Sequence, residues 1–271
     1  MKKLIFILVG LFIVPLWIHA QTIYIHLKDG SVITLNLANI DSITFDIPEP
    51  VTAPDTLLAY YPLDGDAMDA SGNGYHGKVV NAVPDSDRFG NPNGCFYFDG
   101  NSYIDLGNVF NDLYTPLSVS FWFYKETFHN IREGIFVSDN FTDTSNYYGF
   151  WIRTAVDTQI VVGYGDGGHP SPENRQQKLS EGKFKIGEWN HVVVVIRGPM
   201  DMNIYINGEE AGGRYNGSGG PMVHNEFPAI IGKMDFENMT FTGKIDDLRI
   251  YKGVLSHADV LKLYHEGGWG F

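Results

Sequence analysis

The chain has 271 residues, with 19 lysines and arginines against 32 aspartates and glutamates, which gives a formal net charge of −13. This acidic excess disfavours binding to nucleic acids or to anionic lipid surfaces, because both need cationic side chains that displace counterions. Cys95 is the only cysteine, so an intramolecular disulfide is excluded and the fold must be held by packing.

The first twenty residues have the layout of a secretory signal peptide. Lys2 and Lys3 precede an apolar run over residues 4–18, and Ala20 provides a small residue for cleavage after it. The run is short for a membrane span, and a signal anchor is the alternative interpretation. We therefore expect residues 1–20 to be removed and the mature protein to be secreted, to the periplasm or the cell exterior, without a membrane span.

Residues 21–47 are predicted to form a small β-motif. Apolar and polar residues alternate on either side of Asp29-Gly30, a dipeptide typical of the turn between two strands. Residues 48–56 contain three prolines and predict a stiff linker. Because so small a β-motif cannot bury a core alone, we expect it to pair with a protein partner.

Short apolar runs, separated by clusters of Gly, Asn and Asp, fill residues 57–271 without helical periodicity between them. This pattern predicts an all-β fold of two packed antiparallel sheets rather than a parallel α/β sheet. In the strand predicted for residues 117–124, every second residue is expected to face the core. Ser256 precedes an apolar stripe that ends at Gly267, which predicts one short C-terminal helix.

Four runs, at residues 60–77, 98–104, 187–208 and 243–256, carry a resemblance to a known family. They read YYPLDG…DASGNGYHG, FDG…YI, GEWNHV…YING and GKIDDLRIY…LS, in that order. Together they resemble the LamG-like jelly-roll family of the concanavalin A-like lectin/glucanase superfamily, in its bacterial secreted type. The resemblance implies a jelly-roll sandwich over residues 57–271 that binds carbohydrate or protein, with a calcium ion at its rim in many members.

An acidic, glycine-rich loop at residues 64–77 contains the oxygen donors that calcium prefers. In similar family members the ion lies between this loop and the acidic strand near the C-terminus. The resemblance therefore implies four calcium ligands, which are Asp64, Asp69, Asn73 and Asp247. The reserve ligands are Asp66, Asp99 and Asp246. The alternative is that these Asp, Asn and Gly residues serve only to form turns.

Catalytic motifs are missing from the sequence. Sandwich glycosidases of the concanavalin type place two carboxylates on one strand in a Glu-x-Asp-x-x-Glu run, and this chain has none. Asp246 and Asp247 are adjacent, and adjacent strand residues are expected to face opposite ways. There is no Gly-x-Ser-x-Gly elbow and no phosphate-binding loop. We therefore expect no enzymatic activity, and a glycoside hydrolase built from distant carboxylates is the alternative.

A saccharide-binding surface needs aromatic faces for stacking and polar side chains for hydroxyl groups. The main candidates on predicted strands are Trp122, Tyr124, Trp151, Arg153 and Tyr205, with Tyr164 and Asn207 as further ones. Loop residues that could rim the same groove are Asp166, His169 and Arg214. The alternative for the large aromatic residues is a place in the core.

The sequence thus predicts a secreted, non-catalytic module that binds a glycan or polysaccharide and holds a structural calcium ion. A structural or adhesive protein-interaction domain of the cell envelope is the alternative, in which the small β-motif would pair with another protein.

Overall fold

The computed structural model describes residues 22–26, 32–36, 57–127, 131–139, 146–234 and 239–270. The chain forms two compact units, residues 1–48 and 49–271. The predicted signal peptide and proline-rich linker, as well as both boundaries of the small β-motif, lie outside the described residues and stay predictions. None of the helices in the described ranges is long and apolar enough to cross a membrane.

The first unit contains one antiparallel hairpin. Strands β1 (Thr22–His26) and β2 (Val32–Asn36) pair in a register that places Tyr24 opposite Thr34. The two strands lie on either side of the predicted Asp29-Gly30 turn, whose own residues are outside the described ranges. A two-stranded sheet of this size is marginally stable on its own in water.

The second unit is a sandwich of two antiparallel sheets, and its first sheet is called sheet A. Its strands are β4 (Lys78–Val80), β7 (Tyr103–Gly107), β9 (Gly134–Val137), β10 (Phe150–Thr154), β11 (Gln159–Gly165), β12 (Arg175–Lys183), β16 (Arg214–Asn216) and β17 (Ala229–Ile231). They lie in the order β16-β12-β11-β10-β9-β17-β7-β4. Two short 3-10 turns, Val156–Thr158 and Pro172–Asn174, precede β11 and β12.

The second sheet, sheet B, packs against sheet A. Its strands are β3 (Leu57–Tyr61), β5 (Val83–Asp85), β6 (Cys95–Asp99), β8 (Leu117–Tyr124), β13 (Trp189–Gly198), β14 (Asp201–Ile206), β15 (Glu209–Glu210) and β20 (Thr242–Lys252). The order is β15-β14-β13-β8-β20-β6-β5, and β3 pairs with the second half of β20. A separate pair is formed by β18 (Lys233–Met234) and β19 (Met239–Thr240). The predicted two-sheet antiparallel sandwich is confirmed.

The core lies between the two sheets. On β8, Leu117, Val119, Phe121 and Phe123 all reach it and are fully buried, as their alternation predicts. Cys95 is also fully buried, and burial raises the pKa of its thiol to about 12, which keeps the thiol neutral and unreactive.

The predicted C-terminal helix is present as α1 (His257–Tyr264). Ser256 and Asp259 cap its N-terminus reciprocally: the backbone N–H of each donates to the side chain of the other, at 3.0 and 3.2 Å. After the 3-10 turn Glu266–Gly268, Trp269 packs with Tyr264 on Trp122, at ring-centroid distances of 5.3 and 5.8 Å. The helix and its tail therefore cover part of the outward face of sheet B.

Strand β12 has only polar and charged residues at its first four positions, 175–178. The structure shows why the usual pattern is lacking. Gln176 and Lys178 are buried on one face of β12 and donate to backbone carbonyls, while Gln177 is buried on the other face. With polar side chains on both faces, the strand shows no alternation of apolar and polar residues.

The expectation that Asp246 and Asp247 face opposite ways is wrong. A register shift interrupts the pairing of β20 with β8 between Asp246 and Arg249, and Asp247 has a φ of 49°. This bulge breaks the alternation of the strand. Both carboxylates consequently bind Arg88, whose Nη1 donates to Asp246 at 2.6 Å and whose Nη2 donates to Asp247 at 2.7 Å.

Candidate functional site

A cavity of about 310 Å³ opens on the outward face of sheet A, and we call it the sheet A cavity. It is built mainly on β10, β11, β12 and β16, from residues that alternate with core residues such as Phe150 and Ile152. Its polar lining residues in the described ranges are Arg132, Arg153, Asp157, Gln159, Arg175, Gln177, Arg214 and Asn216. Side chains held on neighbouring strands keep a more constant geometry than side chains on loops.

The indole of Trp151 lines the base of the cavity, and 2% of this residue is exposed. Trp151 lies opposite Gly163 in the pairing of β10 with β11, and a Cβ atom at position 163 would approach the indole carbons to 3.0 Å. Glycine thus allows the ring to lie across the neighbouring strand. Tyr147 packs beside it with ring centroids 5.4 Å apart. Met234 and Met239 belong to the same apolar cluster and also line the cavity.

Arg153 and Gln177 form the polar wall next to this floor. Arg153 donates to the carbonyl oxygen of Thr154 at 3.1 Å and to Oε1 of Gln177 at 3.5 Å. Both side chains are largely buried. Within the described residues, the amide nitrogen of Gln177 has no hydrogen-bond partner, so it is available to an oxygen of a ligand.

Arg175 closes the cavity toward the edge of the sheet. Its Nη1 donates to Oη of Tyr147 at 2.8 Å, and its Nη2 donates to Oδ1 of Asn216 at 3.1 Å. In the part of the chain that the structure describes, its Nε is buried without a hydrogen-bond partner. Arg214 lies on the adjacent edge strand, two residues from Asn216, and is exposed.

Two of the five main predicted ligand residues, Trp151 and Arg153, therefore line one cavity. The predicted rim residue Arg214 lines it as well. Neither Asp166 nor His169 does: the carboxylate of Asp166 instead accepts from the backbone N–H groups of Gly168 and Gly220.

The other predicted ligand residues lie elsewhere. Trp122 is buried under the C-terminal helix, and Tyr264, Trp269 and Arg88 pack on its ring, so its predicted ligand role is corrected. Tyr164 is in the core, which corrects that candidate in the same way. Tyr205 is stacked on His257 on the outward side of sheet B, with an interplanar angle of 17°.

Tyr124 lines a second cleft, at the end of sheet B, together with Trp189 and Asn207. The remaining side of this second cleft is formed by the turn at residues 185–188 and by the C-terminal Tyr264 and Trp269. The structure thus distributes the predicted ligand residues over two cavities, the core and the covered outward face of sheet B, rather than one groove.

Asp69 organises the acidic loop through the backbone. Its carboxylate accepts hydrogen bonds from the N–H groups of Tyr60, Ser71 and Tyr75, at 2.9, 2.9 and 3.0 Å. Burial alone would raise the pKa of Asp69, but these bonds outweigh it and lower the pKa. Asn73 is turned to the backbone as well, and its amide donates to the carbonyl oxygen of Leu58 at 2.9 Å.

Asp64 and Asp247 are close enough to influence each other, but the cation between the acidic groups is a guanidinium. Arg88 is bound by Asp246 and Asp247, and Asp247 also accepts from Tyr60 and Arg249. Burial, followed by the charge of Asp247, raises the pKa of Asp64. The same two effects raise the pKa of Asp246 to about 8, against the attraction of Arg88.

Three of the four ligands implied for calcium are engaged within the protein. The oxygens of Asp69 and Asp247 already accept hydrogen bonds, and Asn73 is held by its amide nitrogen. Across the described ranges, no three side chains of His, Cys, Asp or Glu are grouped so as to hold a metal ion. The reserve residues Asp66 and Asp99 accept from backbone N–H groups of their own turns. Calcium binding stays a prediction of the sequence.

The sequence profile of the concanavalin A-like lectin/glucanases superfamily matches residues 98–261, more than half of the chain. No curated protein matches the sequence. Among solved structures, the fold is similar to domain 4 of AbnA, a GH43 extracellular arabinanase from Geobacillus stearothermophilus, in complex with arabinotriose. The identity is 22%, the TM-score is 0.57, and the match covers 77% of this chain and 98% of that domain.

Two toxin domains are also similar. The binding domain of Paraclostridial Mosquitocidal Protein 1 shares 19% identity with a TM-score of 0.60, over 78% of this chain and 52% of that one. The receptor binding domain of botulinum neurotoxin D shares 18% identity with a TM-score of 0.56, over 78% and 52%. The match thus spans about half of each toxin chain. At these identities the similarities establish the fold alone.

Proposed function

Because the chain belongs to the concanavalin A-like lectin/glucanase superfamily, whose fold serves many ligands, we propose that it is a non-catalytic module that binds a saccharide in the sheet A cavity. The observation that carries the proposal is the combination, in one cavity, of an indole floor with guanidinium and amide side chains held on adjacent strands. Domain 4 of AbnA, solved with arabinotriose, adds support from a similar fold.

The chemistry of the cavity suits a sugar. A saccharide has apolar ring faces, which pack on aromatic and aliphatic groups, and hydroxyl edges, which need planar donors and acceptors. Trp151 and Tyr147 offer apolar ring surface through the small part of each residue that is exposed, 2% and 6%. Arg153, Gln177 and Asn216 offer the planar polar groups. The volume of about 310 Å³ lies at the small end of the range for ligand pockets, which suits a short saccharide segment.

The lining argues against glycoside hydrolysis at this place. Hydrolysis of a glycosidic bond requires two carboxyl groups on either side of the scissile bond. Asp157 is the one carboxylate among the cavity residues that the structure describes. We therefore propose binding without turnover. We also propose export of the protein, which rests on the signal-peptide pattern of residues 1–20.

The test is a saccharide screen followed by titration calorimetry with wild-type protein and two single variants. Gln177→Ala removes an amide from the sheet A cavity, and Trp189→Ala removes one of the two indoles of the second cleft. We expect Gln177→Ala to weaken binding and Trp189→Ala to leave it unchanged. The reverse result would move the site to the second cleft, and retention of no saccharide by the wild type would overturn the proposed function.

A protein partner remains the second candidate. It is favoured by the two-stranded sheet of β1 and β2, since each strand pairs only with the other among the described residues and has an outer edge open to a further strand. Cross-linking and pull-down from envelope extracts, with the chain that begins at residue 57 as the control, would test this candidate.

A further inference from the structure

The arginines of this acidic protein are concentrated in one place. The chain has seven arginines and a net charge of −13. Four of the seven line the sheet A cavity, namely Arg132, Arg153, Arg175 and Arg214, whereas Asp157 is its one acidic residue in the described ranges. A positive cluster inside a protein of opposite net charge selects for negative ligands, because the local field, not the net charge, acts on a bound group.

Each of the three arginines outside the cavity pairs with a carboxylate. Arg88 and Arg249 bind the acidic residues of β20, and Arg197 pairs with Asp201 at 3.2 Å. Their positive charges are therefore matched within the fold.

Arg175 and Arg214 differ from these three. Among the described residues, Arg175 donates hydrogen bonds to the neutral groups of Tyr147 and Asn216, and its Nε is a buried donor without an acceptor; its charge also acts on the exposed Glu173. Within the described residues, Arg214 forms no ion pair. A guanidinium with unused donors binds carboxylate or sulfate groups through charge-assisted bonds, often two at once.

Building on the proposed function, we propose that the sheet A cavity selects saccharides that carry carboxylate or sulfate groups over neutral ones. Trp151 and Tyr147 hold the sugar ring, Gln177 and Asn216 bind its hydroxyl groups, and Arg175 and Arg214 bind the anionic substituent. The partly buried setting strengthens these charge pairs relative to those at an open surface.

The experiment compares matched ligands by titration calorimetry with the full chain. Trigalacturonate is compared with its methyl ester, and a sulfated oligosaccharide with its desulfated form, while inorganic sulfate alone is the third arm. We expect the anionic member of at least one pair to bind about tenfold more tightly than its neutral partner, because a hydrogen bond to a charged group is the stronger kind. The preference should shrink as salt is raised.

Arg214→Gln is the main variant, since the side chain is exposed and its loss leaves the core intact. We expect it to reduce the preference for the anionic member several-fold without changing the melting temperature. Arg175→Gln should reduce the same preference, with some loss of stability because its hydrogen bonds to Tyr147 and Asn216 are lost. Arg197→Gln removes an arginine outside the cavity and is the matched control. If Arg197→Gln reduced the preference for the anionic member as much as Arg214→Gln does, the preference would arise from the general charge of the surface. That result would overturn the inference.

Two further outcomes separate this inference from the proposed function. Equal affinity for charged and neutral members, with dependence on Gln177 retained, would overturn the anionic preference and leave saccharide binding in place. Absence of binding to every saccharide would overturn both. Binding of inorganic sulfate as tight as that of the sulfated oligosaccharide would show an anion site without saccharide selectivity.

Discussion

The indole of Trp151 lies across Gly163, its partner on the neighbouring strand, and this contact forms the floor of the sheet A cavity. An added Cβ atom at position 163 would lie 3.0 Å from two indole carbons and 2.9 Å from the carbonyl oxygen of Gln176. The indole can therefore lie flat only if this position has no side chain.

We predict that Gly163→Ala lifts the indole and weakens saccharide binding. Overpacking at such a position costs about 1–3 kcal/mol of stability, so the variant should remain folded while its cavity changes shape. Gly198→Ala is the matched control, because an added Cβ there meets nothing within 4 Å. Calorimetry and thermal unfolding of both variants would check this. Unchanged affinity in Gly163→Ala would contradict the role of the floor.

A second prediction concerns the buried ion cluster at the bulge of β20. Arg88→Ala leaves Asp246 and Asp247 without their shared cation, and breaking a buried pair in this way costs about 3–5 kcal/mol. The control is Lys185→Ala, which removes an ion pair with Glu188 that is largely exposed and is worth about 0–1 kcal/mol. Urea unfolding would measure both. If the two variants lost the same free energy of unfolding, Arg88 would not be the cation that stabilises this cluster.

His224 should make stability depend on pH. Its two ring nitrogens lie 2.7 Å from the carboxylate of Asp139 and 2.8 Å from the carbonyl oxygen of Leu113, and both neighbours accept, so the geometry favours the doubly protonated ring. Burial opposes protonation, but the bond and charge of Asp139 outweigh it and raise the pKa of His224 above its ordinary 6.5.

The sign follows from linkage. A pKa that is higher in the folded than in the unfolded protein adds stability that is complete below pH 6.5 and is lost as the pH rises through the folded value. We predict that the free energy of unfolding falls over this window in the wild type, and that the fall is smaller in His224→Gln. Urea titrations at a series of pH values would measure it, and equal slopes in the two proteins would exclude this histidine as the cause.

A fourth prediction addresses calcium. Because Asp69 and Asp247 already accept hydrogen bonds within the protein, we expect chelation to leave the melting temperature of the wild type unchanged. Thermal unfolding with chelator and with added calcium, repeated on Asp64→Ala, measures this. A rise with calcium that Asp64→Ala abolishes would contradict the assignment of Arg88 as the cation of this cluster and restore the site that the family resemblance implies.

The sequence was sufficient where side chains follow a simple period. The alternation of Leu117, Val119, Phe121 and Phe123 predicted β8 to the residue, and Ser256 located the start of the helix. It was insufficient for β12, because burial of polar side chains on both faces removes the apolar signal on which strand prediction depends. Arg175 and Gln177 were therefore missed as site residues.

Two other differences arise from tertiary context. The alternation on β8 places Trp122 on the outward face, but only the packing of the distant Trp269 and Tyr264 determines that this face is covered. Similarly, Asp247 is the only residue of β20 other than glycine that has a positive φ, and a bulge in the pairing of β20 with β8 accommodates it. This bulge is the reason why Asp246 and Asp247 do not face opposite ways. A period of two cannot indicate either feature.

The most direct test of saccharide binding in the sheet A cavity is an NMR titration that follows side-chain amide and indole signals during addition of a retained saccharide. The account predicts that the largest shifts occur at Gln177, Asn216 and the indole N–H of Trp151, with Trp189 and Asn207 unchanged. Shifts confined to Trp189 and Asn207 would contradict it, because they would place the ligand in the second cleft on the other sheet.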